Sequence, residues 1–114
     1  MSYTNLRYLR TITEGNNEVI REMIEMFALQ VPGFIRNMKN LYETRQYAAL
    51  GKEAHKAKSS LQIMGMNELE KEMKTFQQKT IEGVDAENYP RYILIFETQC
   101  LAALEELKTE LANL

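Results

Sequence analysis

The chain has 114 residues, enough for one domain (1–114) around one buried core, and 45% hydrophobic with 26% charged residues excludes disorder over most of its length. A net charge of −2, a pI near 5.5 and the lack of a long basic run leave no electrostatic footprint for nucleic acid or a membrane surface. No apolar stretch approaches the roughly 20 residues of a membrane span, and the opening MSYTNLRYLR lacks the apolar core of a signal peptide, so a cytoplasmic protein is expected.

Residues 3–12 suit a short lead-in helix with Leu6, Leu9 and Ile12 on one side. Gly15-Asn16-Asn17 then reads as a stop followed by a start, since an Asn side chain accepts from the orphan N–H groups of a first turn. Ile20, Met23, Ile24, Phe27 and Val31 lie on one helical face. Pro32 suits a first turn and not a helix interior, so a break or kink is expected there. A renewed helix carries Ile35, Met38, Leu41 and Tyr42 to about Thr44.

After a short connection at Arg45-Gln46, Tyr47, Leu50, Ala54, Ala57, Leu61 and Met64 recur in steps of 3, 4, 3, 4, 3. That is a seam for packing against neighbouring helices. Gly65 falls where a left-handed terminal residue belongs. Asn67-Glu68-Leu69-Glu70 resembles a capping box, opening a helix with Leu69, Met73 and Phe76 inward. The loop IEGVDAENYP follows. A last helix from about Pro90 to Leu111 buries Ile93, Phe96, Cys100, Ala103, Leu104, Leu107 and Leu111. Cys100, the one cysteine, can form neither an internal disulfide nor a CxxC site and reads as a small core residue. The whole is an all-α, antiparallel four-helix bundle with a short additional N-terminal helix.

The single histidine, His55, sits in EAHKAKSSLQIMGM, residues 53–66. At about 100° per residue it lies roughly 140° from the apolar seam of its helix and faces solvent. Ala48, Gly51, Ser59 and Gln62 share its stripe, and three of them are small. A merely solvated face would carry long charged side chains, and a mid-helix Gly costs up to about 1 kcal/mol against Ala. The imidazole then stands above a low surface that something bulky can approach. Lys52 and Lys58 flank it at −3 and +3 and make a local positive field, kept modest by exposure and salt. A solvated, charged helix segment is the competing account, and the residues alone leave both open.

An exposed imidazole is mostly neutral near pH 7, with a free lone pair that suits attack on an activated phosphoryl group. Lysines beside it can hold phosphoryl oxygens. Other chemistries lack parts. Di-iron bundles need Glu-x-x-His pairs, whereas Lys52 stands at −3 and there is no second His, which also removes zinc. No Walker or kinase-type glycine loop and no nucleophile elbow is present.

AHKAKSSLQIMGM, residues 54–66, resembles the signature of histidine-containing phosphotransfer (HPt) domains, roughly A-H-x-L-K-[GS]-[SA]-(x)4-G-[AML], with Ala54, His55, Lys58, Ser60 and Gly65 on matching positions. The order of the helices agrees along essentially the whole chain. The resemblance implies an HPt-like bundle in which His55 accepts a phosphoryl group from the phospho-aspartate of a receiver domain and passes it to another receiver in a multistep phosphorelay. It implies that Lys58 partly neutralises the phosphoryl group and that Gly65 is structural. Ala48, Gly51, Lys52, Ser59 and Gln62 form the docking stripe. The partners implied are response-regulator receivers and a hybrid sensor histidine kinase. Such a protein is a phosphocarrier with no kinase activity and no cofactor of its own, the Mg²⁺ belonging to the receiver.

Ala57 stands where the family commonly has Leu, which shortens a core contact. Ser59 stands where Gly is commonest, adding a hydroxyl able to bond back to the carbonyl of residue 55. No acidic residue directly follows His55 and no Pro lies shortly beyond it, unlike a histidine-kinase dimerisation helix, so a monomer is expected. Gly51→Arg is expected to block partner approach while preserving the fold. The Met1 start and complete bundle suggest a free-standing protein. The alternative function is a receiver- or helix-binding module without phosphotransfer.

Overall fold

The structure, a computed structural model, describes residues 2–114. Helices α1 (Arg7–Ile12), α2 (Asn17–Glu43), α3 (Tyr47–Ile63), α4 (Asn67–Glu82) and α5 (Tyr89–Ala112) are joined by short turns, with one 3₁₀ turn at Ala86–Asn88. Short turns force sequential neighbours to run antiparallel. Side-chain pairs across the interfaces agree: Gln30 meets Ser60 while Asn37 meets Glu53, and Phe76 stacks on Tyr92 while the Lys79 carbonyl meets Tyr89. The all-α bundle of the sequence reading is therefore present, about one α2 helix long at 43 × 24 × 20 Å.

Asn16 caps α2 as expected, its side-chain oxygen accepting from Glu18 and Val19 N–H at 3.0 and 3.2 Å. Pro32 does not divide the helix: α2 runs unbroken from Asn17 to Glu43. An interior Pro costs about 3 kcal/mol, but α2 buries Ile20, Ile24, Phe27, Val31, Phe34, Ile35 and Met38. Each such side chain contributes roughly 1.5–3 kcal/mol on burial, which outweighs that cost. Pro32 and Ala28 are both exposed, so water can satisfy the carbonyl that lost its donor.

The lead-in helix is shorter than expected, covering only Arg7–Ile12. The segment before it is strapped across one end of the bundle. The Glu106 carboxylate accepts from Tyr3 N–H, Thr4 N–H and the Thr4 hydroxyl. Asn5 N–H donates to the Met64 carbonyl at 3.1 Å. At this crossing Gly65 has φ +69°, and a Cβ there would lie 2.0 Å from the Asn5 carbonyl oxygen. Both facts demand glycine, so the structural role of Gly65 has a concrete cause. Gly65 N–H bonds the Gln62 carbonyl and Met66 N–H the Leu61 carbonyl, the paired bonds of a Schellman turn.

That turn corrects the expected capping box. Met66, buried, occupies the cap position with no side-chain bond, and Asn67 is already the first residue of α4. Burial of Met66 in the turn replaces the polar cap. At the opposite end an aromatic cluster of Tyr42, Tyr47, Phe76, Tyr89 and Tyr92 closes the core. Lys79 pairs with Asp85 across the loop. Their hydrogen bond holds the Asp85 carboxyl below its ordinary value and the Lys79 ammonium above. Cys100 lies in the core as expected, and burial pushes its thiol up to about 12.

Candidate functional site

The α3 seam is inward as its spacing predicts: Leu50, Ala54, Ala57, Leu61 and Met64 are buried. Ala54 and Ala57 bring α3 close to its neighbours, and the residue between that pair's turns, His55, is turned to solvent. Its Nδ1 stands 3.3 Å from Oε1 of Gln77 on α4. A proton on Nδ1 makes Gln77 the acceptor, and the ring's remaining lone pair, on Nε2, then faces away from that bond.

Ala48, Lys52, Ser59 and Gln62 are exposed on the same helix, and Lys58 is half-buried. Lys52 and Lys58 make no ion pair among the described residues, so both charges stay uncompensated beside the imidazole. Lys56, also exposed, is instead 3.9 Å from Glu53. The hydroxyl of Ser59 makes no bond to the residue 55 carbonyl among the described residues. Its neighbour Ser60 donates to Gln30 Oε1 at 2.9 Å.

Gly51 does not lie on the open stripe. It is buried against α4, where a Cβ would meet Thr80 Oγ1 at 2.0 Å and Thr80 Cβ at 3.1 Å. Four residues at 100° rotate Gly51 about 40° from His55 toward the seam, which is enough for α4 to cover it. The docking role expected of Gly51 is therefore replaced by a packing role. Gly51→Arg puts its Cβ against Thr80 on α4, so it is expected to destabilise the bundle rather than leave the fold untouched.

On the other edge of α3, Glu53 is buried and accepts from Asn37 Nδ2 at 2.7 Å. Beyond it a cleft of about 120 Å³ opens between α2 and α3, lined by Met23, Met26, Phe27, Ser59 and Ile63 among others. Met26 is 58% exposed, an apolar side chain left in water beside the candidate site.

The sequence assigns no role to Gln77, Thr80 or Glu53. The tight turn at 64–66 offered a signal for Gln77. An antiparallel helix pair folded about Gly65 brings residues some ten before it opposite residues some ten to twelve after it. His55 then falls opposite 75–77.

Comparison with protein-family models, with curated proteins and with solved structures finds no match to this chain. Among the described residues no helix is long and apolar enough to cross a membrane.

Proposed function

We propose that this chain is a histidine phosphotransfer protein that carries a phosphoryl group on His55 between receiver domains. The observation that carries the reading is the pairing of an exposed imidazole with Gln77, which favours the Nδ1–H tautomer and leaves the Nε2 lone pair directed outward. The motif resemblance at Ala54, His55, Lys58, Ser60 and Gly65 supports it independently.

The step balances as follows. Nε2 of neutral His55 attacks the phosphorus of a receiver phospho-aspartate. The N–P bond forms as the acyl P–O bond breaks, and the aspartate carboxylate leaves with the electron pair. The ring becomes an N-phospho-imidazolium whose Nδ1–H stays bonded to Gln77, so the new positive charge meets a carbonyl dipole. Lys58 places a cation near the incoming phosphoryl oxygens. Transfer to a second receiver is the same step reversed. Small or short side chains at Ala48 and Ser59 leave room for a receiver to reach the imidazole. The apolar cleft beside Ser59 supplies desolvatable surface for it.

The test incubates the chain with a phosphorylated receiver and follows acid-labile label. Label is expected on the wild type and absent from His55→Gln. Equal labelling of both, or none on the wild type, removes the proposal. Docking without phosphotransfer is the second reading, favoured only by the cleft. It predicts that His55→Ala leaves both receiver affinity and signalling intact, whereas the phosphotransfer reading predicts that signalling is lost.

A further inference from the structure

We infer that Gly51 is a positioning residue for His55: the missing side chain lets α3 and α4 close far enough for Gln77 to hold the imidazole, through Thr80. The geometry is independent of the phosphotransfer proposal, while its consequence for transfer rests on that reading.

Gly51 precedes His55 by one helical turn, and Gln77 precedes Thr80 by one turn on the facing, antiparallel helix. The two pairs are thus adjacent rungs of one interface. At the first rung Gly51 faces Thr80, which is buried and whose hydroxyl donates to the backbone carbonyl of Gln77 at 2.6 Å. At the second rung His55 Nδ1 faces Gln77 Oε1 at 3.3 Å.

The distances decide how tightly the rungs are coupled. A Cβ on residue 51 falls 2.0 Å from Thr80 Oγ1, so the hydroxyl must leave its place and its bond to the Gln77 backbone. Rotating Thr80 does not finish the adjustment. Its own Cβ stands 3.1 Å from the added carbon and moves only with the α4 backbone. The helices must therefore part by a few tenths of an ångström. The His55–Gln77 contact, at 3.3 Å, is already longer than the usual 2.7–3.2 Å range, and near 3.6 Å it ceases to be a hydrogen bond. A displacement that most packed interfaces absorb unnoticed is thus the size that releases this imidazole.

The choice of Gly at 51 has no other evident local cause. The position is inside a helix, with no positive φ, where Gly is less favourable than Ala by up to about 1 kcal/mol. Closeness to Thr80 explains why that cost is accepted here, and the function of the closeness is to fix the tautomer and ring angle of His55.

The experiment reads the ring directly. Long-range ¹H–¹⁵N NMR of the full chain reports which nitrogen of His55 carries the proton. Gln77→Ala sets the value for an unheld ring. Wild type is expected to show Nδ1–H as the main form, and Gly51→Ala to move to the Gln77→Ala value. Acceptance of phosphoryl from a phosphorylated receiver is expected to slow about tenfold in both variants, the equivalent of one positioning hydrogen bond. Should Gly51→Ala fail to fold, Thr80→Ile widens the same gap from α4 and is expected to shift the ring in the same way. A folded Gly51→Ala or Thr80→Ile chain with the wild-type tautomer overturns the inference, as does a Gln77→Ala chain indistinguishable from wild type. If no chain accepts phosphoryl, phosphotransfer fails as a function while the tautomer comparison still decides the positioning role.

Discussion

The two edges of α3 meet their neighbours in different ways. Toward α4 the contact is close: Gly51 lies against Thr80, and Gln77 reaches the imidazole of His55. Toward α2 the contact is polar and looser: Glu53 is held by Asn37, Ser60 by Gln30, and a cleft opens beside Ser59. On the phosphotransfer proposal the tight edge would hold the nucleophile, His55, through Gln77, and the loose edge would present surface to a receiver.

The sharpest way to break this contrast is Gly51→Arg. It forces a long charged side chain into the closed edge and is expected to destabilise the chain by about 3 kcal/mol or more, read as a fall in urea midpoint. A stability near wild type would mean that α4 does not close on Gly51. On the α2 edge, Glu53→Ala leaves Asn37 without its acceptor in a partly buried place and is expected to cost about 2 kcal/mol. Glu53→Gln keeps an oxygen for Asn37 and should cost about half as much by the same unfolding measurement. The smallest effect on stability belongs to Ser59→Tyr. The side chain is exposed, so the expected change stays within about 0.5 kcal/mol. Phosphoryl acceptance from a receiver should nevertheless fall, because the low surface beside His55 is filled. A Ser59→Tyr chain with unchanged transfer would separate the cleft edge from docking.

Much of the bundle was legible because periodic burial is written directly in the chain. The 3-4 steps of Tyr47 to Met64 and the run from Ile20 to Met38 are faces that only helices make, and Asn16 carries its capping oxygen in plain sight. Pro32 stays inside α2 because the burial of that helix's inner face overrides the local cost of the ring. Asn67 misled because the turn at Gly65 closed by backbone bonds and left nothing for a side-chain cap to do. The outward direction of His55 followed from the wheel, and so did exposure of Ala48, Lys52, Ser59 and Gln62. Gly51 did not follow. A wheel measures angle from a mean seam, whereas α3 is covered by helices on both sides, and a residue about 40° from His55 is beneath α4. Gln77 lay beyond reach because its partner is set by the pairing of two helices, which a single-helix projection does not contain.

The most direct measurement is ³¹P and ¹⁵N NMR of the chain after reaction with a phosphorylated receiver. Phosphoryl on Nε2 of His55, with Nδ1 still protonated, is the predicted result. Phosphoryl on Nδ1, on another residue, or nowhere on the chain would contradict it.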